Sequence, residues 1–78
     1  MEYGNLKLAL YENNITIETV AEFLGIHRNS VANKLNGIRP FTIEEAQKLK
    51  KGLLTKYDSE YLFKLTEKKK SEKEILEK

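Results

Sequence analysis

The chain has 78 residues, 40% hydrophobic and 33% charged, with a formal net charge of +2. That length holds a single domain, and so small a charge excess does not by itself point to an anionic partner. Cysteine is absent and His27 is the one histidine, which excludes disulfides and thiolate metal sites and leaves a zinc cluster almost nothing to build on.

One proline and repeated three-and-four spacing of apolar residues predict helices throughout. Leu6 and Leu10 mark a first helix ending near Glu12, and Asn13-Asn14 stop it, because asparagine tolerates the left-handed backbone that helix ends require. Thr16 can cap a second helix, with Ile15 and Val20 as a hydrophobic staple across the cap. Ile17, Val20, Ala21 and Leu24 follow i, i+3, i+4, i+7 and predict one buried stripe that Gly25 terminates. A third helix fits Arg28 to Asn36, burying Val31 and Leu35, with Gly37 and Pro40 beyond its end. Thr42 and Glu45 form a T-x-x-E capping box that opens a fourth helix, whose expected core residues are Ile43, Ala46 and Leu49. Leu53 and Leu54 fall at or past its end. A short fifth helix begins near Asp58 or Ser59 and carries Tyr61, Leu62 and Phe63. From Glu67 to Lys78 five lysines and four glutamates surround only Ile75 and Leu76, a composition that cannot bury enough surface to order itself alone. The organisation read here is a domain over 1–65 and a charged tail over 66–78.

The charge is distributed unevenly. No acid lies between Gly25 and Phe41, a stretch that contains Arg28, Lys34 and Arg39. Within it, Asn29, Asn33 and Asn36 all lie within roughly 40° of the direction opposite Val31 on the third helix. Asparagine is a poor helix former, so its repeated use on an exposed face calls for a reason. Its amide can donate to and accept from adenine in the major groove at once. Ala21, Gly25, Ile26 and Val31 supply the small contact, tight turn and core closure that two steeply crossed helices require.

Residues 5 to about 64 resemble the lambda-repressor-like, Cro-like (XRE) helix-turn-helix family of phage and prophage type, with the helix-turn-helix itself at Thr16–Leu35, extended to Thr42. Gly25-Ile26-His27-Arg28-Asn29-Ser30-Val31 is similar to the family's turn and recognition-helix start, and Lys34-Leu35-Asn36-Gly37-Ile38-Arg39-Pro40-Phe41-Thr42 to its K-L-N-G-x-x-x-F-T stretch. Glu60-Tyr61-Leu62-Phe63 is similar to its closing helix. The resemblance implies an all-α bundle of four to five short helices and base contacts from Arg28, Asn29 and Asn33. It implies backbone or supporting roles for Thr16, Ile17, His27, Ser30, Lys34, Asn36, Arg39 and Phe41. Two positions depart from the family. His27 stands where a small hydroxyl residue usually caps the recognition helix; histidine is a poorer cap, so either a structural role or a direct DNA contact is expected of it. Ile17 stands where many relatives carry glutamine, leaving only its main chain for a phosphate.

Catalysis finds no support: Glu44-Glu45 suit a helix first turn, and no phosphate loop, nucleophile elbow or carboxylate–histidine cluster is present. No cofactor, metal or small-molecule ligand is expected. No apolar run reaches the roughly 18 residues of a membrane span and Met1-Glu2-Tyr3 does not begin a signal peptide, so a cytoplasmic location is expected. The expectation is therefore a sequence-specific transcriptional regulator, Cro-like or a stand-alone repressor. It would act as a homodimer on palindromic double-stranded operator DNA, paired through the last helix by Leu54, Tyr57, Tyr61 and Phe63. The alternative is a helix-turn-helix protein-interaction module, such as an antitoxin or antirepressor component.

Overall fold

A computed structural model describes residues 1–67, and every regular element among them is a helix. In chain order these are α1 (Gly4–Glu12), α2 (Ile17–Leu24), α3 (Arg28–Leu35), α4 (Ile43–Gly52) and α5 (Ser59–Leu62). The all-α class and the helix order agree with the sequence; most of the charged tail, from residue 68 onward, lies outside the described residues.

Local chemistry accounts for most of the boundaries. α2 starts where the Thr16 hydroxyl accepts the Thr19 N–H at 3.1 Å. α4 starts on a complete capping box: Glu45 N–H donates to the Thr42 hydroxyl and Thr42 N–H to the Glu45 carboxylate, both at 3.0 Å. The first three helices stop by one device, with a left-handed residue at or just after the cap: Asn14 (φ 57°), Gly25 (72°) and Gly37 (80°). In each, the next N–H reaches back to an otherwise orphaned carbonyl: Ile15 to Leu10 at 2.9 Å, Ile26 to Ala21 at 3.0 Å and Ile38 to Asn33 at 2.9 Å. Ile15 and Ile26 turn inward onto the core, whereas Ile38 is exposed.

The core draws Leu6, Ala9 and Leu10 from α1, Val20, Ala21 and Leu24 from α2, Val31 and Leu35 from α3, Leu49 from α4, and Leu62 from α5. α2 packs closely on α3 and also on α4, while α1 lies against α3 and α5. Three expectations need correction. Ile43 is 79% exposed; at 100° per residue it lies about 120° round α4 from Leu49, so the three-residue pattern drifts off the core. Ile17 is 40% exposed, because the first residue of α2 leans past the helix end, where cover is partial. Leu54 is only 1% exposed: its N–H bonds the Leu49 carbonyl at 2.9 Å, folding the chain back so that the side chain enters the core instead of facing a partner.

The N-terminal residues form a clasp that the sequence does not announce. Glu2 pairs with Thr66 in an isolated antiparallel bridge, with N–H···O distances of 2.8 and 2.7 Å. Tyr3 donates its N–H to the Leu35 carbonyl at 2.9 Å, satisfying the last turn of α3. The Tyr3, Phe41 and Phe63 rings pack edge-to-face with centroids 5.1 to 6.3 Å apart. Phe63, expected at a dimer surface, is thereby drawn into this cluster. The Glu2 side chain is buried, and its Oε1 lies 2.7 Å from Lys7 Nζ.

Candidate nucleic-acid interface

α3 is fixed at both ends and along one side, and these constraints decide which of its side chains are free. At its start the His27 imidazole caps the helix: Nδ1 accepts the Asn29 N–H at 3.1 Å. The histidine thus takes the capping role that a hydroxyl would have filled, α3 begins at Arg28 as the sequence predicts, and Nδ1 must carry no proton to do so. At its end, Gly37 in the left-handed conformation redirects the chain toward Arg39 and Phe41. An added Cβ there would fall on the Met1 carbonyl oxygen, so the clasp and the turn are in direct contact.

Val31 and Leu35 anchor the buried side of α3. Asn29 is exposed and Asn33 half-buried on the opposite side; Arg28, one turn before Val31, is exposed at the helix start, and Ser30 is half-buried. Asn36, at the helix end, is exposed, and its Oδ1 accepts from Lys7 Nζ at 2.6 Å. Arg39 is exposed and engages in no ion pair among the described residues. The Thr16 hydroxyl is taken up by its cap, leaving the Ile17 and Glu18 N–H groups at the start of α2.

Lys34 differs from its sequence-based role as a phosphate support. Its Nζ lies 2.7 Å from Glu45 Oε1 and 3.3 Å from the Pro40 carbonyl, and 5.8 Å from the Phe41 ring centroid. It locks α3 to the start of α4 and holds the intervening loop. Phe41 supports the same loop from inside, through its aromatic neighbours.

Burial alone would raise the Glu45 carboxyl, but the Lys34 hydrogen bond, the Thr42 N–H and the Lys34 charge outweigh it and hold it below its ordinary 4.5. A lowered carboxyl contributes stability that is full above pH 4.5 and lost as pH falls through the folded value. Lys34→Met should therefore lower the thermal midpoint at neutral pH by about 4–8 °C, equivalent to about 1 kcal/mol. Its deficit should shrink as the solution is acidified below pH 4.5. Thermal denaturation followed by circular dichroism from neutral to acidic pH checks this; a deficit independent of pH would remove the ion pair from the explanation.

The acid-free run in sequence is not acid-free in space. Glu18 on α2 reaches across to α3, its Oε2 3.1 Å from Arg28 Nη1, and both side chains are exposed. Glu18 and Glu22 share a shallow depression with His27 and Arg28 on the flank of the α2–α3 turn. No helix among the described residues is long and apolar enough to cross a membrane, and no group of three or more candidate metal ligands occurs among them. No protein-family model, no curated protein and no solved structure matches this chain.

Proposed function

We propose that this protein is a sequence-specific DNA-binding regulator that presents α3 to the major groove in a helix-turn-helix formed by α2, the Gly25-Ile26-His27 turn and α3. The observation that carries this reading is the outward side of α3. Asn29 and Asn33 stand opposite the Val31–Leu35 anchor and Arg28 is exposed at the helix start, on a helix capped at one end and clasped at the other. A helix held this firmly can present amides and a guanidinium to base edges with little loss of side-chain order on binding. Arg39 and the loop to Phe41 would grip the sugar-phosphate backbone at one side, and the free N–H groups of α2 would meet a phosphate at the other.

So small a reading head makes few base contacts, and useful affinity calls for two copies on half-sites about 34 Å apart. Of the residues inferred from sequence to pair the two copies, Leu54 is buried and Tyr57 and Phe63 are half-buried against the core. Of the four residues, only Tyr61 is exposed.

A mobility-shift titration with mixed-sequence duplex DNA tests the reading. Binding should weaken with salt, at a log–log slope near −0.9 per phosphate neutralised. Asn33→Ala should reduce discrimination at one base pair by about 1–3 kcal/mol, while Arg39→Ala weakens all sequences alike. Sites selected from a random pool supply the specific arm. No binding even at about 50 mM salt would reject the DNA reading. A protein-interaction module, with the exposed Ile38 and Ile43 at its surface, would then take its place.

A further inference from the structure

We infer that Glu18 sets the balance between specific and non-specific binding by holding Arg28 away from phosphates, an inference that rests on the DNA reading above. The sequence places Glu18 in the first turn of α2 and Arg28 at the first position of α3, ten residues on. Folding brings them to 3.1 Å, carboxylate Oε2 to guanidinium Nη1.

Helix electrostatics explains one half of this pair and not the other. A carboxylate suits the positive start of α2, but a cation at the start of α3 opposes that helix's own dipole. Arg28 is therefore poorly placed for the stability of α3, and Glu18 supplies the compensating charge. The pair is solvent-exposed and contributes little to stability. Its position matters more, because it joins the first turn of α2, with its free N–H groups, to the start of α3.

Two consequences follow for a polyanion. The Glu18 carboxylate repels phosphates at that edge, and its bond to Nη1 ties the guanidinium to the protein, so that a passing phosphate must displace it. A base edge is a different partner. The guanidinium has five N–H donors in a fixed fork, and one can stay on Glu18 while others meet the acceptors of a guanine. Glu18 thus penalises contact with backbone more than contact with a base, and acts as a positioning residue for Arg28.

The test compares wild type, Glu18→Gln, Arg28→Ala and the double variant, each titrated with mixed-sequence duplex DNA across a salt series and with a duplex selected from a random pool. Glu18→Gln should bind mixed-sequence DNA about two- to fivefold more tightly at low salt. Its salt slope should steepen by about 0.9, as Arg28 gains a phosphate. Affinity for the selected duplex should rise less, so the specificity ratio falls. In the Arg28→Ala background the slope change should vanish. An unchanged slope in Glu18→Gln, or the same change with and without Arg28, overturns the inference while leaving the DNA reading intact. Failure of the wild type and all variants to bind any duplex overturns both. A role confined to folding would shift the denaturation midpoint without moving the salt slope.

Discussion

Gly37→Ala should destabilise the fold by about 2–4 kcal/mol and weaken DNA binding beyond what the lost stability explains. The left-handed backbone at φ 80° costs a non-glycine residue about 1–2 kcal/mol. The remainder arises because the new Cβ would overlap the Met1 carbonyl, which belongs to backbone and cannot rotate away. Relief requires either the N-terminal residues to lift or the loop toward Arg39 to shift, and both displace the edge proposed to grip phosphate. Gly25 provides the internal control. It has a similar positive φ, 72°, but open space where a Cβ would sit, so Gly25→Ala should carry the backbone penalty alone. Urea unfolding of the two variants measures the difference directly; equal losses would mean that the contact with Met1 is unimportant.

The second large effect is expected at Glu2, which is 1% exposed. Its carboxylate and the Asn36 amide oxygen share the Lys7 ammonium, at 2.7 and 2.6 Å. Glu2→Ala leaves that ammonium half-satisfied in a mostly buried position and opens a void. The expected loss is about 2–4 kcal/mol, toward the lower part of the range for breaking a buried pair because Lys7 can swing its head to solvent. Replacing both residues with methionine should recover much of that stability, since well-packed apolar groups often match a buried ion pair. Chemical denaturation separates the two outcomes. If Glu2→Ala were as stable as wild type, the pair would be ornamental and α3 would rely on the Tyr3–Leu35 bond instead. The double variant should also leave Asn36 untethered, which makes it a useful reagent for DNA titrations.

What could be foreseen in the sequence was what depends on near neighbours. The Thr16 cap, the Thr42–Glu45 box and the left-handed stops at Asn14, Gly25 and Gly37 are each settled by residues within one helical turn. The buried positions of α1 and α3 were legible for the same reason. Ile43 misled because a three-residue spacing was followed past the point where it leaves the buried side. Leu54 and Phe63 misled because the burial of the first and the partial burial of the second depend on segments that arrive from elsewhere: the backward fold after α4 and the N-terminal aromatic. The candidate site divides the same way. The Asn29–Asn33 side of α3 follows from helical periodicity, whereas the Lys34–Glu45 lock and the Glu18–Arg28 pair join residues ten or eleven positions apart on different helices. No periodicity reports such a pairing, and a scan along the chain for missing acids overlooks Glu18 and Glu45, which folding brings alongside.

The Glu2–Thr66 bridge spans 64 residues of sequence, and its cost is the entropy of closing almost the whole described chain into a ring. Contacts of such separation form late, after the local helices have nucleated. During synthesis, α2 and α3 emerge well before Thr66, so at that moment Glu2 has no backbone partner. The clasp that carries Tyr3 onto Leu35 and Lys7 onto Asn36 is complete only when the distal end of the domain is free to return to it. A nascent chain therefore carries α3 with its last turn less firmly held, and the face proposed to read DNA is complete only once the domain has closed.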